Sequence, residues 1–117
     1  MRYLLLIYGD EGAWADMAPE AQANEYQAYD QYGKWLQERG WMRGGDALQG
    51  STTATQVRVR DGKTLTTDGP FMETKEQLGG YYMVDCENLD QAIEAASRIP
   101  AARGGIIEVR PIQEFET

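Results

Sequence analysis

Thr66-Thr67-Asp68-Gly69-Pro70-Phe71-Met72-Glu73-Thr74-Lys75-Glu76-Gln77-Leu78-Gly79-Gly80-Tyr81-Tyr82 is the stretch around which this chain reads. It gathers turn chemistry, four charged side chains, a double glycine and two adjacent tyrosines. Asp68-Gly69-Pro70 reads as a turn: Asp accepts from its own backbone, Gly frees φ and Pro fixes it. Gly79-Gly80 suits a bulge or a close approach at the start of a strand, and Tyr81–Cys86 has the composition of that strand. Upstream, Thr55-Gln56-Val57-Arg58-Val59-Arg60 alternates polar and apolar as a half-exposed strand does. Asp61-Gly62 is a hairpin turn signal, and Lys63-Thr64-Leu65-Thr66-Thr67 returns as the partner. The connection then runs over Asp68–Gly80.

Outward from this hairpin the pattern is simpler. Arg2–Tyr8 is a near-continuous apolar run, the mark of a central strand covered on both faces. Gly9-Asp10-Glu11-Gly12 ends it in an acidic loop that continues through Trp14, Asp16 and Met17. Pro19 suits the first position of a helix, Glu20 complements its positive end, and Arg39 with Gly40 closes it. Ala28, Tyr32, Trp35 and Leu36 recur on one face of that helix. Trp41–Leu48, interrupted by Gly44-Gly45, reads as a short strand with a bulge, followed by a polar loop over Gln49–Thr53. Asn88 and Gln91 have capping-box spacing. Leu89, Ala92, Ile93 and Ala96 mark a second amphipathic helix, stopped by Pro100. Ala101–Gly105 is a turn. In the last strand, Ile106–Ile112, Ile107 and Val109 face one way, Glu108 and Arg110 the other.

The order strand, helix, strand, hairpin, strand, helix, strand is an α+β pattern: a ferredoxin-like split βαβ with a β-hairpin insertion, in one domain over residues 1–117. Both helices then lie on one face of an antiparallel sheet. The other face is bare, so it must be polar or find a partner. A homodimer is the expectation.

Composition removes several classes of function. The chain has 117 residues and a net charge of −8, from 19 acids against 11 bases. With no basic stripe, this argues against a nucleic-acid partner. No apolar run approaches the roughly 20 residues needed to span a bilayer, and no signal-peptide cleavage site follows the N-terminal strand, so the expectation is a cytoplasmic protein without a membrane partner. Cys86 is the only cysteine, and there is no histidine. Intramolecular disulfides, His-based general bases, Ser-His or Cys-His pairs and His-containing metal sites are all excluded. Neither phosphate-loop glycine pattern occurs. The scattered acids Asp10, Glu11, Asp16 and Asp46 lack EF-hand spacing, and no metal or other cofactor is expected.

The residues Thr67-Asp68-Gly69-Pro70-Phe71, with Glu73 through Tyr82, resemble the signature of the DGPF branch of the YCII-related proteins. Tyr3–Tyr8, Ile99-Pro100-Ala101 with Gly104, and Glu108-Val109-Arg110-Pro111-Ile112 are similar too, so the resemblance spans nearly the whole chain. It implies a ferredoxin-like subunit that dimerises into an α/β barrel with a cleft, in a family whose biochemical role is largely unassigned. It also implies a sigma-factor-related protein as a possible partner. The wider superfamily carries a His-Asp pair proposed as catalytic, which a chain without histidine does not have.

The candidate site residues each carry two readings. Asp68 is either the turn cap or a carboxylate at a cleft mouth, able to accept a proton. Glu73, Lys75 and Glu76 are either a solvated turn or an anchor for an anionic ligand, with Lys75 as cation; Asp68 and Lys75 are the catalytic candidates. Glu108 and Arg110 are either an ion pair on a wet sheet surface or, with Tyr8 and Tyr81 or Tyr82, the lining of the dimer cleft. The expected function is binding of a small molecule or partner protein near the Thr67–Phe71 loop. The alternatives are carboxylate, Tyr or Lys acid-base catalysis and a transcription accessory acting through protein contact.

Overall fold

The computed structural model describes residues 1–69 and 76–116. Strands β1 (Arg2–Gly9), β2 (Met42–Ala47), β5 (Gln77–Asp85) and β6 (Ile106–Pro111) form one sheet in the order β2-β5-β1-β6. Every neighbouring pair is antiparallel. This is the order that a split βαβ path produces. Strands β3 (Thr55–Arg60) and β4 (Lys63–Asp68) pair only with each other, as a separate hairpin. Its turn is Asp61-Gly62, with φ of 51° and 74°, the left-handed pair that a two-residue hairpin loop requires.

Helix α2 spans Pro19–Arg39, with Pro at its start and Gly40 (φ 72°) closing it through hydrogen bonds to the Gln37 and Leu36 carbonyls. Helix α3 spans Leu89–Ser97. The Asn88 side chain accepts from the Gln91 amide, and the Gln91 side chain accepts from the Glu87 amide, one residue earlier than a capping box places it. Two segments depart from the sequence reading. Residues expected to continue the first loop form a short helix, α1 (Glu11–Asp16), because the Asp10 carboxylate accepts from the Gly12 and Ala13 amides at 2.9 and 3.2 Å. Strand β5 begins at Gln77, inside the expected connection, and Gly79 is the extra residue of a bulge opposite Ile7 and Tyr8. A second bulge falls at Arg43 in β2.

The core lies between the sheet and the two long helices. Tyr3 and Leu5 of β1, Val84 of β5, Tyr32 and Leu36 of α2, and Ala92, Ala95 and Ala96 of α3 are buried together with Cys86 and Ile99. On α3 the alanines do the packing. Leu89 and Ile93, expected on its apolar face, are each 50% exposed. A helix seated on its alanines comes close to its neighbours, and the longer side chains are left at its flank. The Tyr32 hydroxyl donates to the Ala95 carbonyl at 2.7 Å, joining the two helices inside the core. Trp35 lies under the guanidinium groups of Arg39 and Arg98, at 5.0 and 4.5 Å, and Glu94 pairs with both arginines.

The other face of the sheet has no helix. Directly opposed residues share a face, so Leu4, Leu6 and Tyr8 lie there with Tyr81, Met83, Glu108 and Arg110. All but Arg110 are half-buried by their neighbours. Strand β1 is therefore central, as expected, but covered on one face only. Among the described residues no helix is long and apolar enough to cross a membrane.

Burial raises the hydroxyl of Tyr29 to about 12 from its ordinary 10.0, and that of Tyr32 further still. The folded chain thus holds these protons after the unfolded chain has released them. The stability this contributes is complete below pH 10 and falls away as pH climbs through the folded values. Denaturant titrations are expected to show that loss beginning near pH 10. Tyr32→Phe should cost about 1–2 kcal/mol at pH 7, by leaving the Ala95 carbonyl unpaired, and should make the alkaline loss shallower. A variant with wild-type stability at pH 7 would show that the Tyr32 hydroxyl contributes nothing to holding the helices together.

Candidate functional site

Among the described residues, a concavity lies on the helix side of the sheet. One side of α2 carries Tyr26, Tyr29, Gly33 and Gln37, roughly a turn apart, and faces the β2–β5 end of the sheet across a gap. Tyr32 and Leu36 point from another side of the same helix into the core. The floor is kept low by glycine. A Cβ on Gly45 would lie 2.8 Å from Tyr82 Cδ1, and one on Gly80 would lie 3.0 Å from the Asp46 carbonyl. Helix α1 supplies Trp14, which meets Tyr26 edge to face at 5.3 Å, at one end.

The resulting cavity has a volume of about 860 Å³. The aromatic residues Trp14, Tyr26, Tyr29 and Tyr82 line it, and Tyr81, whose side chain turns to the other face, borders it. Its charged lining is Asp10, Glu11, Asp30 and Asp46 against Lys34. Each of these groups already has a partner. Asp10 caps α1, and Glu11 accepts from the amide and hydroxyl of Ser51, both at 2.8 Å. Lys34 pairs with Asp30 at 3.2 Å. The Tyr81 hydroxyl donates to Asp46 at 2.9 Å, a bond that raises the tyrosine pKa. Tyr82 is raised by burial. At neutral pH Tyr29, Tyr81 and Tyr82 are therefore protonated donors, not bases.

The residues singled out from the sequence are dispersed. Tyr82 lines this cavity and stands edge-on to Tyr32, with centroids 5.1 Å apart. Its neighbour Tyr81 borders the cavity, but its side chain points to the opposite face of the sheet. Tyr8, Glu108 and Arg110 belong to the bare face. There Arg110 Nη2 donates to both Glu108 oxygens at 3.1 Å, the surface ion pair that was one of the two readings. Asp68 ends β4 at the root of the hairpin, where its carboxylate accepts from the Thr55 hydroxyl at 3.4 Å. It does not line the cavity. Glu73 and Lys75 lie outside the described residues. Cys86 is buried, which pushes its thiol pKa up and makes it a packing residue.

Sequence reasoning missed the α2 wall of the cavity. Its signal was a second helical stripe, Tyr26–Tyr29–Gly33–Gln37, alongside the core stripe, together with the two double glycines on facing strands.

Two comparisons place the chain among known proteins. A family model described as the YCII-related domain matches residues 1–116. An uncharacterized protein of Rhizobium meliloti (strain 1021), R00369, is 37% identical over 121 residues, covering 99% of this chain and 95% of that protein. The chain belongs to the YCII-related domain family.

Proposed function

We propose that this chain binds a small organic molecule in the cavity between α2 and the β2–β5 end of the sheet. The observation that carries this reading is a concavity of about 860 Å³ walled by the aromatic residues Trp14, Tyr26, Tyr29 and Tyr82, with a few polar groups converging on it. Ligand sites of roughly 300–1,000 Å³ have this make-up. The protonated tyrosine hydroxyls favour a ligand with an apolar body and hydrogen-bond acceptors. Acid-base turnover has less support. Asp68 lies off the cavity wall, and Tyr29, Tyr81 and Tyr82 hold their protons at neutral pH.

Gly33 gives a direct test. It sits mid-helix on the cavity wall, and a Cβ there meets nothing within 4 Å. Gly33→Leu should stabilise α2 by about 0.5–1 kcal/mol through helix propensity while filling the cavity. Thermal-shift and calorimetric screens of a metabolite collection are expected to give binders of the wild type that the variant has lost. Binding of equal strength to both proteins would move the site elsewhere.

A second reading concerns assembly. The bare sheet face carries Leu4, Leu6, Tyr8, Tyr81 and Met83, apolar or aromatic side chains that no helix covers. We propose that two copies join these faces as a homodimer in the manner of an α/β barrel. Light scattering at micromolar concentration should give twice the chain mass for the wild type and the single-chain mass for Leu6→Glu, which would place a charge in that interface. A wild type at single-chain mass would end this reading.

A further inference from the structure

The hairpin β3–β4 contributes no residue to the core described above. All twelve of its strand residues are exposed. Its hydrogen-bond ladder is internal, and below it Gly69 donates to Ala54 at the root. The Cα radius of gyration, 16.4 Å, exceeds the roughly 13 Å of a compact chain of this length, as a projecting arm requires.

The register sorts the hairpin into two unlike faces. Val57 and Val59 share one with Thr64 and Thr66. The two valines are 62% and 68% exposed. The other carries Arg58, Arg60 and Lys63, with Leu65 between them. None of these three cations is in an ion pair among the described residues. Asp61 lies in the tip turn and Asp68 at the root, so the middle of the arm is wholly cationic on that side. Residues 55–68 hold three bases and two acids, so the other 103 residues hold eight bases and seventeen acids, a net charge of −9 against +1 for the arm. A two-stranded ribbon with an exposed β-branched face and two open edges is marginal in water and prone to pair with other chains.

We propose that the hairpin is a docking arm whose seat is a second copy of this chain. Val57 and Val59 lie against apolar side chains of the other copy. Arg58, Arg60 and Lys63 face its acidic surface. The occupant follows from charge: an arm of opposite sign to its own body is attracted to the body of its twin. This contact is additional to the joined sheet faces.

The test uses the full chain in sedimentation equilibrium and in hydrogen exchange at several protein concentrations. Val57→Gln/Val59→Gln and, separately, Arg58→Glu/Arg60→Glu should each weaken self-association roughly tenfold or more. The body should stay folded by circular dichroism, since every altered side chain is exposed. Wild-type association should weaken as salt rises above about 0.15 M, and the amides of residues 55–68 should slow in exchange as concentration increases. Undiminished association in both arm variants, with exchange of the arm independent of concentration, would overturn the proposal. If Leu6→Glu alone then dissociated the dimer, the joined-sheet reading would survive. The reverse pattern would leave the arm standing and remove the sheet interface. A wild type that stays monomeric, or an arm protected only by a different protein, would also overturn it.

Discussion

The hydrogen bond from the Tyr32 hydroxyl to the Ala95 carbonyl, 2.7 Å long and buried, decides where the long helix can lie. It fixes the core side of α2 against α3, and Leu36 and Tyr82 hold that side over the sheet. A helix held along one side cannot also close onto the end of the sheet it overhangs. There the chain places glycine on the floor, at Gly45 and Gly80, and glycine in the helix, at Gly33. The gap that remains is the cavity, and its aromatic wall is the side of α2 turned away from the core.

One sheet thus has two faces with different work. The helix face is filled by core and, toward β2, by the cavity. The bare face is apolar along Leu4, Leu6 and Met83, and its charged groups include the Glu108–Arg110 pair and Asp46 opposite Tyr81. The cationic face of the hairpin stands apart from both, on an otherwise acidic chain.

Much of this is legible in the sequence. Pro19 and Gly40 bracketed α2 to the residue, because fixed φ at one end and left-handed φ at the other are local properties of those side chains. Asp61-Gly62 located the hairpin for the same reason. Three features were not legible. The first was α1, because Gly9 and Gly12 read as loop residues while the Asp10 cap acts through just two amides. The second was the packing of α3. Hydrophobicity favours Leu89 and Ile93, yet close approach selects Ala92, Ala95 and Ala96. The third was the site itself. Adjacent residues of a strand face opposite ways, so Tyr81 and Tyr82 cannot serve one face, and only the register tells which goes where. The register also sends Tyr8, Glu108 and Arg110 away from Tyr82, so the expected single cluster divides across the sheet.

The central claim is that ligands enter on the helix side, between α2 and the β2–β5 end of the sheet. Nitrogen–proton correlation spectra of the labelled protein, recorded through a fragment library, test it most directly. The account predicts that binders shift the amides of Gly33, Gly45 and Gly80 and the indole of Trp14 together. Shifts confined to Leu4, Leu6, Tyr8 and Arg110 would contradict it, because they would place the ligand on the opposite face of the sheet.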